Sequence, residues 1–409
     1  MKPNYRFLMI ILLLVLCAPC IYAQEVASFK GSFEACKAQA QKENKLILID
    51  LFFVGCMPCA EMDEKVFPDP AVVKEITSNY IVFKTDVMKE MDGKKLARKY
   101  GASGFPTFVL LNAQGKALLT EAGYFGADRF VSLLQKGKAL EKQRKYLAFD
   151  TNLDHAYPAA YSERFIKTGE QHDFAELESY LAQQKDLTSE TAFLANTVTN
   201  FPIYTNWIYD HLPQMIDLYG GSLLLNKVNA IAKVKSKQFG SLQQADSLRQ
   251  LLTYIRPVYN ERMWSVFLPI MVTSYYEQSK DAASYLQLMD EYDLYPNWDL
   301  RSNALGQVIF SQKQQPAILK SILKEFLEQQ KKGALDIPDQ YKLVALYLYL
   351  QDFDQAQKAM DVLLKSDFSD PYLATKKADV EQLKQAIAGK NTQNIQVKDI
   401  KKNIPVRLG

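Results

Sequence analysis

The sequence predicts a small α/β domain, a central mixed sheet flanked by helices, followed by a larger all-helical region. Three observations predict this. An apolar run, Lys45–Val54, leads straight into a Cys-x-x-Cys pair at Cys56 and Cys59. Strand-like and helix-like segments then alternate up to about residue 138, and beyond that point strand signals nearly vanish. A chain of 409 residues with 48% hydrophobic and 23% charged content suits two or three globular domains. The formal charge of +3 is small for this length and argues for neither nucleic acid nor an acidic partner.

The first element is a leader. Lys2 and Arg6 precede the apolar run Phe7–Leu16, and Ala23 supplies a small residue after it. This reads as an export signal removed after Ala23, which places the mature chain in the periplasm or otherwise outside the cytoplasm. Pro19 interrupts the run before the roughly 20 apolar residues that a membrane span needs, and no later segment is apolar enough to span. The expected organisation is a signal peptide at 1–23, an α/β domain at 24–138 and a helical domain at 139–409.

Within the α/β domain, Ser32–Ala40 has a polar cap and helical spacing of apolar residues. Lys45–Val54 reads as a strand buried on both faces, with Asp50 as its one charged member inside the run. A carboxylate there is costly unless it has a partner or a task. A helix follows Cys56 and ends near Phe67-Pro68-Asp69-Pro70. Then come a helix from Ala71 to Thr77, a strand Tyr80–Asp86, a helix Lys94–Tyr100, a strand entered through Phe105-Pro106, a turn at Asn112–Gly115, a return strand Lys116–Thr120 and a closing helix Asp128–Gln135. Proline at a strand start is tolerated because it need not donate to the ladder.

Five cysteines shrink to Cys36, Cys56 and Cys59 once the leader is gone, too few for a disulfide-stapled fold. A dithiol at a helix start meets unpaired N–H groups and the positive end of the helix dipole, both of which favour thiolate. The loop between the two cysteines is too short to remove much unfolded-state entropy, so the pair reads as redox-active more than as a staple. Half a zinc site is the alternative, but no second pair exists, and His155, His172 and His211 lie outside the domain with no metal spacing. No metal or other cofactor is expected. Cys36 reads as a small apolar residue on a buried helix face.

These residues carry a resemblance. Leu48-Ile49-Asp50 ahead of Cys56-Met57-Pro58-Cys59, then Gly101-x-x-Gly104-x-Pro106-Thr107, resemble a thioredoxin domain over about Glu34–Lys136. Val66-Phe67-x-Asp69-Pro70 and Phe83-Lys84-Thr85-Asp86 are most similar to the C-terminal domain of the membrane thiol:disulfide interchange reductase. The resemblance implies that Cys56 is the exposed nucleophile and Cys59 the resolving thiol. It implies that Asp50 lies beneath Cys59 and moves its proton, that Pro106 is cis and faces the dithiol, and that Gly55, Met57, Pro58 and Phe105 meet substrate. It also implies protein thiol or disulfide clients. Gly55 stands where many thioredoxins have tryptophan, and Glu64 lies in the region where many have a helix proline.

The helical region shows helix-like stretches at Phe174–Gln184, Leu242–Ile255, Ala282–Tyr292, Ala317–Gln330 and Tyr341–Leu350, broken by prolines such as Pro202, Pro257 and Pro338. Ala345–Ala356 resembles a tetratricopeptide hairpin, Tyr275–Ala283 echoes it, and Thr168–Phe174 is a fainter copy. Ordinary helix packing accounts for the same pattern. Trp207, Trp264 and Trp298 read as inter-helix packing.

Two functions follow. The first is an exported thiol:disulfide oxidoreductase acting on protein disulfides in the reducing or isomerising direction. Met57-Pro58 lacks the histidine of strong oxidants, and Glu61, Asp63 and Glu64 oppose an extreme thiol pKa. With no flavin or nicotinamide fingerprint, it needs an external redox partner, such as a membrane reductase. The alternative is a substrate-binding or scaffold protein whose helical domain carries the function and whose thioredoxin domain only docks peptides.

Overall fold

The computed structural model describes residues 26–166, 174–393 and 395–404. The expected signal at 1–23 lies outside the described residues, as do His172 and most of the faint hairpin copy at 168–174.

The α/β domain opens with α1 (Phe33–Glu43), capped by Ser32, whose hydroxyl accepts the Ala35 N–H. Phe33 leans edge-on against Phe83, with ring centroids 5.5 Å apart, and Cys36 is buried beside it. Next is β1 (Leu46–Phe52), with Ile47–Leu51 all buried, as a central strand requires. The dithiol helix α2 (Met57–Glu61) continues as one π-helical turn, Met62–Val66. That turn aims both Met62 and Val66 at the sheet while leaving Asp63 free to reach a strand lysine. Asp69 caps α3 (Pro70–Asn79), accepting from Ala71 and Val72 N–H. Then follow β2 (Tyr80–Asp86), α4 (Met91–Lys99), β3 (Thr107–Leu111), β4 (Ala117–Ala122) and α5 (Ala127–Gln143).

The sheet order is β2-β1-β3-β4, with β1 parallel to β2 and the other two pairings antiparallel. Asp50 therefore lies between Lys84 on one side and Phe108 on the other. One face of the sheet packs an aromatic cluster, Phe67, Phe108, Phe125 and Phe130, with centroids 4.9–6.4 Å apart. The closing helix is longer than the sequence reading predicts. It runs to Gln143, with Leu133, Leu134 and Gly137 buried; a Cβ at Gly137 would come within 2.6 Å of Leu110 Cδ1 and 2.9 Å of Tyr80 OH, so a larger residue would force those side chains to shift.

By packing, the chain divides into two compact units. The first runs from the α/β domain to Ile231 and takes in Pro257–Tyr259; the second holds Ala232–Arg256 and continues from Asn260. In the first unit the sheet domain is extended by α6 (Ala159–Ile166), α7 (Phe174–Ala182), α8 (Glu190–Thr197), α9 (Pro202–Asp210), α10 (Leu212–Tyr219) and the start of α11 (Leu225–Ser241). Leu147 N–H bonds Ala117 O at 2.7 Å, Ala148 N–H bonds Leu218 O at 2.6 Å, and Tyr161 OH donates to Arg98 O at 2.5 Å. Trp207 stacks on His211 with centroids 4.2 Å apart.

The second unit contains α12 (Ala245–Ile255), α13 (Glu261–Ser279), α14 (Ala282–Glu291), α15 (Trp298–Ser311), α16 (Pro316–Lys332), α17 (Ile337–Tyr349), α18 (Phe353–Leu363), α19 (Pro371–Ala374) and α20 (Lys377–Ala388). Pro316, Pro338 and Pro371 stand in the first turns of their helices, where a missing N–H costs nothing. The α13–α14 and α17–α18 turns share one build. A left-handed residue (Lys280, φ 53°; Gln351, φ 58°) precedes an aspartate cap (Asp281; Asp352) that accepts from the N–H three residues on. The second unit is helical throughout its described secondary structure.

Candidate redox site

Cys56 and Cys59 are joined by a disulfide at the start of α2. Cys56 is the helix cap, and its Sγ accepts the Cys59 N–H at 3.2 Å, so the backbone at the helix mouth already favours negative charge on that sulfur. Pro58 fits the first turn for the reason given for the later helices. Both cysteines are buried, so Cys56 in its disulfide form is not the exposed thiol that the resemblance implies; the exposed residues beside it are Met57, at 78%, and Val54, at 66%. Gly55 takes φ 98°, a left-handed backbone that a side chain resists, with open space where its Cβ would be.

The loop ahead of the dithiol is held from two sides. Asp86, at the end of β2, is buried. One of its carboxylate oxygens accepts Val54 N–H at 3.3 Å, and the other accepts Met88 N–H at 2.8 Å and Lys89 N–H at 3.1 Å. Val87 N–H bonds Phe52 O at 2.9 Å, and Cys56 N–H bonds Phe53 O at 3.1 Å. On the other side, Phe105 meets Phe53 edge-on at 5.5 Å. The Phe105-Pro106 peptide bond is cis, Thr107 hydroxyl donates to Gly104 O, and Gly123 N–H bonds Pro106 O at 2.8 Å. Because Thr107 pairs with Leu51, this segment lies at the same end of the sheet as the dithiol loop.

Asp50 is 2% exposed and shares its sheet face with Leu48, which packs against Met62 and Val66 of the dithiol helix. One carboxylate oxygen lies 3.3 Å from Lys84 Nζ; the other is buried without a hydrogen-bond partner. Burial pushes the Asp50 carboxyl up to about 6, against the opposing pull of Lys84. Lys84 also pairs with Asp63 and lies 4.9 Å from the Phe52 ring centroid, a partly buried cation between an acid, an acid and an aromatic face. These groups open into a pocket of about 210 Å³ lined by Asp50, Asp63, Phe67, Pro68, Val82 and Lys84. Cys36 stands apart on α1, and burial pushes its thiol up to about 12.

The structure thus gathers Gly55, Cys56, Met57, Pro58, Cys59, Phe105 and Pro106 at one end of the sheet, with Asp50 in the strand that leads to them. Lys84 and Asp86 join them, and the sequence reading assigned neither a role. Both carry a signal in hindsight: two charged residues in a strand whose other members are mostly apolar. What the sequence lacks is the β1–β2 register that sets Lys84 opposite Asp50.

A family described as thioredoxin-like domain matches residues 33–138. Among solved structures, the chain is similar to one titled DsbH oxidoreductase, at 17% identity over 28% of this chain and 87% of that one. It is likewise similar to a thioredoxin from Thermus thermophilus, at 24% identity over 28% of this chain and 92% of that one. The TM-score is 0.25 in both cases. No curated protein matches the chain. Residues 33–138 are a thioredoxin-like domain with a Cys-x-x-Cys pair, followed by a long helical region. Among the described residues, no helix is long and apolar enough to cross a membrane.

Proposed function

We propose that the protein is an exported thiol:disulfide oxidoreductase that acts on protein disulfides in the reducing or isomerising direction. The observation that carries this reading is the Cys56–Cys59 disulfide at a helix mouth, with Asp50 buried in the adjoining strand and one of its oxygens unpartnered. In the reduced enzyme, Cys56 thiolate attacks a client disulfide. One client sulfur leaves as thiolate and takes a proton, and a Cys56–client disulfide forms. Cys59 gives its proton to Asp50 and attacks Cys56 Sγ. The second client sulfur leaves, takes up a proton, and the two electrons have passed from the dithiol to the client. A carboxyl held near 6 suits this exchange near neutral pH better than an ordinary aspartate.

Return to the dithiol needs an outside dithiol donor, for which a membrane reductase is the partner class we propose. Export rests on Lys2, Arg6, the Phe7–Leu16 run and Ala23. The direction rests on Met57-Pro58 more than on the nearby acids, because Glu61 pairs with Lys65 and Asp63 with Lys84.

Insulin-disulfide reduction with an excess of a small dithiol tests the reading. Wild type should turn over and Cys56→Ser should fall to the uncatalysed rate, whereas Cys59→Ser should accumulate client mixed disulfides on gels. Equal rates for wild type and Cys56→Ser would sink it and favour the docking alternative.

A further inference from the structure

The chain beyond α20 is seated on the second unit like a bound peptide. Lys390, Asn391 and Gln393 form an exposed link, and residues 395–404 then run without helix or strand. Their main chain is read by side chains. Lys313 Nζ donates to Ile395 O at 2.7 Å, Tyr341 OH to Lys398 O at 3.1 Å and Lys342 Nζ to Ile400 O at 2.9 Å. Asn303 brackets Lys402, accepting its N–H at 2.8 Å and donating to its carbonyl at 3.1 Å. Contacts of this type hold a peptide's path whatever its sequence.

Sequence is read at five positions, one of them Asp399, whose carboxylate lies 3.5 Å from the ammonium of the fully buried Lys342. Ile395, Val397 and Ile400 are buried, whereas Gln396, Lys398 and Lys401 are exposed. Lys402 Nζ enters an acidic pocket, 2.7 Å from Asp299, 3.0 Å from Asp336 and 2.7 Å from Asp339. The pocket is built from the helices' own contacts: Trp298 Nε1 donates to Asp339 at 2.6 Å, Ser302 donates to the same carboxylate, and Asp336 caps α17. Room for the segment comes from Gly306, where a Cβ would fall 2.4 Å from the Asp399 carboxylate.

We propose that this face of the helical unit is a peptide groove whose resident occupant is the chain's own tail. Its exchangeable ligand is an extended segment of a client protein with apolar side chains at i, i+2 and i+5, an acid at i+4 facing Lys342 and a lysine at i+7. The groove supplies three carboxylates to one ammonium and side-chain bonds to the main chain, and a separate peptide can satisfy both. The exposed link at 390–393 lets the tail leave as one piece. The client part rests on the proposed thiol:disulfide function, whereas the groove and the exchange of the tail do not.

The test is titration of the full chain with a fluorescein-labelled peptide of residues 395–404. In wild type the tethered tail competes at an effective concentration on the order of millimolar, so binding is weak. Lys402→Glu in the chain sets a carboxylate against three others and expels the tail, and affinity for the labelled peptide should rise at least about tenfold. The same peptide with glutamate for lysine should show no gain. No gain for the wild-type peptide, in a Lys402→Glu chain with unchanged circular dichroism, would overturn the proposal. Should that variant unfold, a full chain with a protease site within 390–393, nicked and kept native, provides the second measurement. Labelled peptide should replace the tail within hours, and replacement only after urea unfolding would mark the tail as core. An unrelated peptide with the same pattern must compete with the labelled one; if it fails, the client part is wrong.

Discussion

Two lysine–carboxylate pairs in the first unit, each with a buried acid, differ in a way that separates chemistry from architecture. Between α4 and α8, Lys99 and Glu190 are both buried and fully answered. Lys99 Nζ lies 2.7 and 2.9 Å from the two Glu190 oxygens, which also accept Tyr157 OH at 2.6 Å and Asp150 N–H at 2.8 Å. At the redox site, Asp50 has one loose contact with Lys84, itself shared with Asp63, and one oxygen with no partner. A saturated pair has nothing left with which to take a proton. A half-satisfied carboxylate holds a raised pKa and an open lone pair, at a cost in stability that the rest of the domain must offset. The first pair fastens helix α8 to the sheet domain, and the second, in the function proposed, is the one left able to take a proton.

The largest effect should come from breaking the saturated pair. Glu190→Ala leaves Lys99, Tyr157 OH and Asp150 N–H without their acceptor and should cost about 3–5 kcal/mol in urea unfolding. Glu190→Gln, which keeps an acceptor but drops the charge, should cost clearly less. Neither should change the Cys56–Cys59 reduction potential of the folded fraction, and a potential shift with Glu190→Gln would dissolve the distinction between the two pairs.

Asp50→Asn should act in the opposite sense on stability. The folded carboxyl titrates at about 6, above its ordinary range, so between about pH 4 and 6 the folded state holds the proton that the unfolded state has released. Stability therefore falls as pH rises through that window, and the full penalty applies above it. Asp50→Asn should stabilise the protein by about 1–3 kcal/mol at pH 7 and by almost nothing at pH 4, while slowing resolution of the mixed disulfide about tenfold. A variant that is destabilised at pH 7, or that resolves at the wild-type rate, would make Asp50 an ordinary structural acid.

How much of this was legible in the sequence follows from how local each feature is. Cys56, Pro58 and Cys59 depend on neighbours a few residues away, and spacing reveals them. Asp50 was legible because a charge inside an apolar run is conspicuous. The partners were not: Lys84 meets Asp50 through strand register, and Glu190 meets Lys99 across 91 residues of chain. Composition alone marks the tail only as basic; Ile395, Val397 and Ile400 are too sparse to signal burial, and the carboxylates around Lys402 come from two helix starts far upstream. The closing helix runs on from Gln135 to Gln143, about two turns beyond its obvious apolar pattern, with Gly137 buried in that stretch.

A smaller effect should follow from removing the cation at the half-satisfied pair. Lys84 opposes the upward push on Asp50, so Lys84→Met should raise the Asp50 pKa further. The acid limb of the exchange-rate profile should move upward by about one pH unit. A limb that stays in place would mean that it reports another group.

The smallest effect belongs to Cys36, and it sets the floor for the comparison. This thiol is fully buried on α1, and burial alone pushes it up to about 12, so at pH 8 almost none of it is thiolate. It also stands apart from both lysine pairs. With the Cys56–Cys59 disulfide intact, iodoacetamide at pH 8 should leave Cys36 unlabelled in the native protein, and label should enter it only on unfolding. Cys36→Ala should cost about 1 kcal/mol for the lost sulfur packing and leave the insulin-reduction rate unchanged. Native labelling, or a rate change in that variant, would bring a third thiol into the chemistry and require the redox site to be redrawn around it.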